Sequence, residues 1–364
     1  MREEKHLMSE TIDDIEKIRD RIDALLGETY SAGGSDVHIS NDMPPVMRKQ
    51  GVLVPIGTER TSNIQSFMRC STAPFTTEEL RLFSCQYLDP AHAHGEFTTG
   101  SIDASYTVQL RSSEFFCRVN AFYDTNGISL AFRLLRKYIP SMDKLRIPKS
   151  VQKLRNLNHG LICVSGATGQ GKTTTIASML EAINTERSTH IITIENPIEY
   201  RFERKKSIIS QREVGKDCKS FLEGLRDVLR QDPDIVLVGE MRDAETVETA
   251  LAAAETGHLV FTTLHSATVI EAIDRFMQYF PADRYKEIRN ELANSFEAII
   301  AQRLFRSVSG DRIAAFEILL ANDITRNLIR SENSFRLKDY MFPNQGMQTM
   351  EESIQGLRNK HLIN

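Results

Sequence analysis

The stretch Gly166-Ala167-Thr168-Gly169-Gln170-Gly171-Lys172-Thr173 constrains this chain more than any other. It has the form G-x-x-x-x-G-K-[ST]. The apolar run Leu161-Ile162-Cys163-Val164 precedes it, and a helix-forming segment reaching about Asn184 follows. Strand, glycine loop and helix in that order make a phosphate cradle. Glycines let successive backbone N–H groups turn inward around phosphate oxygens, and the helix N-terminus adds its positive dipole end. Gly166 through Thr174 are therefore expected to hold ATP. Lys172 is expected to reach the β- and γ-phosphates, and the Thr173 hydroxyl to ligate Mg2+.

The surrounding rhythm agrees with such a loop. His190 to Ile194, Asp234 to Val238 and Leu259 to Thr262 read as buried strands, separated by helical patterns at Ala244 to Glu255 and Val269 to Phe280. Strands alternating with helices imply right-handed βαβ units and a parallel sheet covered on both faces, an α/β domain over residues 149–364. From Arg284 onward the pattern reads mainly as helices.

Residues 1–136 read differently. Ile12, Ile15, Ile18, Ile22 and Leu25 fall on one helix face, with Gly27 as the expected stop. Short β-like runs follow at Val37-His38-Ile39, Val52-Leu53-Val54, Tyr106-Thr107-Val108 and Ser129-Leu130-Ala131-Phe132, with Asn126-Gly127 as a turn. This predicts a small α+β domain. Residues 137–148, with Pro140 and Pro148, read as a linker.

Composition narrows the function. The chain has 364 residues, with 45 Lys and Arg against 49 Asp and Glu. Neither part carries the basic excess of a protein that grips nucleic acid through many phosphates. No stretch approaches the roughly 18 apolar residues of a spanning helix, and the charged N-terminus does not read as a signal peptide. Cys70, Cys85, Cys117, Cys163 and Cys218 lie far apart with no C-x-x-C, which predicts reduced thiols in a cytoplasmic protein rather than a zinc site.

Three carboxylates sharpen the nucleotide reading. Glu195 and Glu199 lie in Ile194-Glu195-Asn196-Pro197-Ile198-Glu199, at the C-terminal end of a strand, where ligands sit in open α/β sheets. Glu240 follows the apolar run Ile235-Val236-Leu237-Val238-Gly239. Many P-loop proteins have Asp at the place of Gly239, so Glu240 is the candidate for Mg2+, directly or through water. His258 and His265 bracket a further strand. His265, at its end, is placed to face a γ-phosphate; a satisfied core or surface residue is the other reading.

These boxes, in order, resemble those of the secretion ATPase superfamily, which powers type II secretion, type IV pili and type IV secretion. GATGQGKTTT resembles its Walker A, ITIENPIEY its aspartate box, DPDIVLVGEMRD its Walker B and TGHLVFTTLH its histidine box. Within the superfamily the chain is most similar to the motors of pilus retraction. Gly34 to Ile39 and Cys117 to Phe122 resemble their N-domain motifs, and Thr325 to Arg330 with Gly346 to Met350 their C-terminal signatures. Asn196 departs from the usual Asp of the aspartate box, and Phe116 from the first Arg of the arginine motif.

The resemblance implies a PAS-like N-terminal domain before a RecA-like motor domain. It implies a homohexameric ring at the inner face of the cytoplasmic membrane, acting on an inner-membrane platform protein without entering the bilayer. It also implies catalytic roles for Glu195, Glu240, Glu199 and His265, with Arg118 and Arg133 reaching the nucleotide from the first domain. Three alternatives stay open: a motor of type IVB secretion or conjugation, a RecA-like nucleic-acid translocase, and a nucleotide-gated scaffold that does not hydrolyse.

Overall fold

The computed structural model describes residues 2–49, 51–57, 73–88, 100–110, 113–135 and 138–363, with side chains from Asp14 onward except that of Ser113. The Ile12 side chain, Cys70 and Arg136 lie outside the described residues. The chain divides into two compact units, residues 1–137 and 138–364.

The first unit runs α1 (Arg2–Ser31), β1 (Asp36–Ser40), β2 (Val46–Lys49), β3 (Val52–Pro55), α2 (Thr77–Phe83), β4 (Ser101–Leu110), β5 (Ser113–Asp124) and β6 (Gly127–Leu134). Among the described residues the strands form one antiparallel sheet, in the order β3-β2-β1-β6-β5-β4. Alternation decides which face is buried. Ala104, Tyr106 and Val108 of β4 and Phe115, Cys117, Val119 and Ala121 of β5 point inward. They share a core with Ile18, Ile22, Leu25 and Leu26 of α1 and Leu80 and Phe83 of α2.

Gly27 does not end α1, contrary to its sequence reading. A Cβ there would sit 2.9 Å from the Leu110 side chain of β4, so the glycine lets helix and sheet approach closely. The chain leaves the helix after Ser31 and turns at Gly33, whose φ of +74° suits glycine.

The second unit begins with α3 (Lys149–Lys153), β7 (Gly160–Ser165), α4 (Lys172–Glu186), β8 (His190–Glu195) and β9 (Ile208–Glu213). It continues with α5 (Phe221–Val228), β10 (Ile235–Val238), α6 (Ala244–Glu255), β11 (Leu259–Leu264), α7 (Val269–Met277) and α8 (Tyr285–Ser295). It closes with β12 (Phe296–Arg306), β13 (Arg312–Leu320), α9 (Asp323–Arg330) and α10 (Met350–Asn359). The sheet order is β13-β12-β7-β11-β10-β8-β9. All pairs are parallel except β12 with β13.

Each central strand feeds two cores. Leu161 and Cys163 of β7, Val236 and Val238 of β10, and Val260 of β11 pack toward α5, α6, α7 and α8. Ile162 and Val164, Ile235 and Leu237, and Phe261 pack toward Ile176, Met179, Leu180 and Ile183 of α4 on the opposite face. This is the doubly covered parallel sheet that the alternation of elements predicts.

Two expectations need correction. The region after Arg284 is not mainly helical, because β12 and β13 together add 11 and 9 residues of strand to the sheet. Their runs Ala298 to Ala301 and Ala315 to Leu319 are buried throughout, so they lack the alternation that marks a strand with one wet face. Residues 138–148 are not a free linker either. Met142 and Ile147 are buried in the core beneath α4, and Asp143 accepts hydrogen bonds from Lys149 at 2.9 Å and Gln152 at 3.0 Å.

Candidate active site

β7 ends at Ser165 and α4 starts at Lys172, so the glycine loop crosses the C-terminal edge of the parallel strands. Gly166, Gly169 and Gly171 have φ of +150°, +78° and +82°, values that side chains rarely allow. Gly166 has a second reason to lack a side chain, since a Cβ would lie 2.6 Å from the Gln302 carbonyl oxygen of β12.

Gln302, which no sequence pattern marked, braces this loop. Its Nε2 donates to the Gln170 carbonyl at 2.6 Å, and its Oε1 accepts from Thr175 Oγ1 at 2.7 Å. Gln170 answers by accepting the Leu304 N–H at 2.6 Å.

Ser220, Asp243 and Thr268 cap α5, α6 and α7 through their side chains, whereas Gly171 gives α4 no side-chain cap. The opening amides of α4 are thus available to an anion, and the exposed Ala167, Thr168 and Gly169 line its approach. Lys172 is buried, its Nζ donating to the Gly166 carbonyl at 2.6 Å and the Ala167 carbonyl at 3.3 Å. Burial lowers its pKa, against the pull of the Glu240 and Glu199 charges. Thr173 is half-buried beside it, and Thr174 Oγ1 meets the Tyr200 hydroxyl at 2.9 Å.

The structure brings the histidine and Glu240 to the same lysine. Lys172 Nζ stands 3.4 Å from His265 Nδ1, and His265 Nε2 stands 3.5 Å from Glu240 Oε1. Burial, and then the Lys172 charge, lower the His265 pKa, which favours the neutral ring at pH 7. A proton on Nε2 lets that ring accept from Lys172 and face Glu240 with an N–H. The other Glu240 oxygen accepts from Arg242 Nε at 2.8 Å, a partner the sequence reading passed over.

Gly239, just beyond β10, packs closely against β8. A Cβ there would lie 3.0 Å from the Ile194 carbonyl oxygen, a tight contact, so a side chain at this position would press on the end of β8.

Glu195 ends β8 and is buried. It accepts from Thr193 Oγ1 at 2.6 Å and Gln211 Nε2 at 3.3 Å. Burial pushes its carboxyl up to about 7, and the nearby Glu199 adds to that while Thr193 and Gln211 oppose it. Glu199 is half-buried on the loop beyond, and Asn196 is exposed. His258 sits at the opposite end of β11, its Nδ1 3.1 Å from the Ala253 carbonyl oxygen, which is the structural reading of that histidine.

Arg118 and Arg133 belong to the first unit, where they are cross-strand partners on β5 and β6. Arg133 Nε donates to Asp36 Oδ1 at 2.9 Å, and Arg118 Nη2 lies 3.5 Å from Asp103. Burial works to raise the Asp36 carboxyl, but the Ser35 hydroxyl and Arg133 outweigh it and hold it below its ordinary value.

Among the described residues no three His, Cys, Asp or Glu side chains gather to hold a metal by themselves. A divalent ion here would be carried mainly by phosphate oxygens and water. The described cysteines Cys85, Cys117, Cys163 and Cys218 are buried. No helix of the described residues is long and apolar enough to cross a membrane.

A parallel sheet with the glycine loop after β7, and with Lys172, His265, Glu240 and Glu195 at the carboxyl ends of its strands, defines a RecA-like P-loop ATPase. Residues 102–334 match the family described as Type II/IV secretion system protein, and the chain belongs to that family. The chain is 35% identical to the type IV pilus retraction ATPase PilT of Pseudomonas aeruginosa, over 94% of this chain and 95% of that one. It is 36% identical to the uncharacterized protein YggR of Escherichia coli, over 88% and 93% of the two chains. A solved structure of the pilus retraction motor PilT with bound ADP superposes with a TM-score of 0.83 at 39% identity, over 94% of both chains. The ATPase DotB of Legionella pneumophila follows at 0.80 and 25% identity, over 95% of this chain and 93% of that one.

Proposed function

We propose that this protein is the ATP-hydrolysing motor of type IV pilus retraction. It works as a homohexameric ring at the cytoplasmic face of the inner membrane, against a platform protein of the pilus machine. The observation that carries this reading is likeness to a retraction ATPase along nearly the whole of both chains.

The site residues then take these roles. The amides from Gly166 to Thr174 and the Lys172 ammonium hold the phosphates. The Thr173 hydroxyl and Glu240 serve Mg2+, the latter directly or through water; the ion screens the β- and γ-phosphate charge. Glu195 orients and deprotonates the attacking water, with Glu199 tuning its charge. A base with a pKa near 7 suits work at neutral pH. His265, between Lys172 and Glu240, reports whether a γ-phosphate is present. Arg118 and Arg133 supply positive charge to the transition state, which is worth about 10³–10⁵ in rate in related chemistry.

Lys172→Ala should abolish nucleotide binding or turnover while the protein remains folded. In a piliated host lacking the native gene, the wild-type chain should restore twitching and Lys172→Ala should not. Restoration of a secretion or conjugation system instead, or ATPase activity stimulated by DNA or RNA, would overturn the retraction reading.

A further inference from the structure

Glu195 is held by two donors, and one of them does more than solvate it. Gln211 of β9 lies beside β8, in register with Thr193. Its Nε2 is shared between Glu195 Oε1 at 3.3 Å and the Tyr200 carbonyl at 2.7 Å. Its Oε1 accepts the Phe202 N–H at 3.1 Å. One amide therefore clasps the buried carboxylate and two neighbouring points, Tyr200 and Phe202, of the loop that follows it.

That loop is also tied to the phosphate cradle, because the Tyr200 hydroxyl meets Thr174 Oγ1 at 2.9 Å. Thr174 stands two residues after Lys172 on α4. Nearby, Glu213 holds the same loop by accepting the Ile198 N–H at 3.1 Å. A continuous set of contacts thus runs from α4 through Tyr200 and Gln211 to Glu195.

We propose that Gln211 is a positioning residue for hydrolysis, fixing the Glu195 carboxylate relative to the cradle through the Tyr200 loop. The proposal rests on the reading of Glu195 as base. A base must point its oxygen at the attacking water, and a misplacement of about 1 Å can lower the rate roughly 10²-fold. Thr193 fixes one Glu195 oxygen relative to β8, and Gln211 ties that same oxygen to the loop that meets α4. An amide suits this place because it offers a donor and an acceptor without adding charge. The charged groups near Glu195 are Glu199 and Arg201 from the loop and its register partner Glu213 from β9. A carboxylate at 211 would add a further acid to that group.

The test compares Gln211→Leu, Thr193→Val and Glu195→Gln in the full chain. Steady-state ATPase is read from pH 5.5 to 9 and nucleotide affinity by fluorescent ADP. With Glu195 as base, activity falls as pH drops through its pKa. Removing either donor disfavours the ionised carboxylate, so the acid limb of kcat should move to higher pH in both donor variants. Gln211→Leu should lower kcat about 10–100-fold with ADP affinity within roughly threefold of wild type. Thr193→Val, an isosteric change, keeps the limb readable should Gln211→Leu unfold.

Three outcomes decide. Loss of kcat with an upward-shifted limb and intact ADP binding supports the proposal. An inactive Glu195→Gln beside Gln211→Leu with wild-type kcat and limb overturns the role of Gln211 and leaves the base in place. Wild-type turnover in Glu195→Gln overturns the base reading and the proposal with it.

Discussion

Glu317, in the middle of β13, is 1% exposed, and neither of its carboxyl oxygens makes a well-formed hydrogen bond. Burial pushes its pKa up to about 7, with the Lys338 charge and the Val269 N–H pulling it down and Glu351 and Glu271 pushing it up. Between its ordinary 4.5 and about 7 the folded chain binds more protons at this site than the unfolded chain. Stability contributed here is complete below that window and is lost as pH rises through it. Glu195 acts in the same sense. Glu317→Gln should therefore flatten the fall of stability between pH 5 and 8 and stabilise the chain at pH 8 by about 1–3 kcal/mol. Urea unfolding at several pH values measures this, and an unchanged slope would show that Glu317 is ionised throughout. Lys172 is a contrasting residue, since its buried ammonium stands where an anion is expected.

At the scale of elements, a few polar contacts set how helices meet sheets. Asp23 of α1, 3% exposed, accepts from the Tyr106 hydroxyl of β4 at 2.7 Å and from the Gln109 N–H at 3.2 Å. Burial raises its pKa, while those two donors and Arg19 lower it. Tyr106→Phe removes one donor and leaves the buried carboxyl short of a partner, which should destabilise the first unit by about 1–3 kcal/mol. The melting transition of residues 1–137 should fall accordingly; a Tm equal to wild type would mean that the carboxyl finds other solvation. In the second unit the same logic joins β12 to the glycine loop through Gln302 and Gln170. The glycine loop is thus braced by a strand far along the chain from it.

At the scale of the whole molecule, the two units each bury their own core. Residues 138–364 contain the phosphate loop, Glu195, Glu240 and His265, whereas Arg118 and Arg133 lie in the first unit. The isolated second unit should fold cooperatively and bind ADP, yet hydrolyse ATP about 10³-fold or more slowly than the full chain. Adding Arg133→Ala to the full chain should reproduce part of that loss. Turnover by the fragment at the full-chain rate would leave these arginines as the ion-pair partners of Asp36 and Asp103 that the first sheet already makes them.

What the sequence determined by itself was local. The glycine loop, the apolar runs that became β7, β8, β10 and β11, and the acids and histidine at their ends are read from neighbours along the chain. Backbone conformation and strand burial are dictated there, and the closeness to known secretion ATPases follows from the same residues. Only the tertiary structure decided the rest. β12 and β13 looked like helix because strands buried on both faces carry no period. Gly27 looked like a stop because nothing in its neighbourhood shows the approach of Leu110. The clasp of Gln302 on the loop, the close packing at Gly239 and the hold of Gln211 on Glu195 arise between different strands, beyond the reach of any local pattern. A glutamine reads as an ordinary polar residue until packing gives its amide two fixed partners.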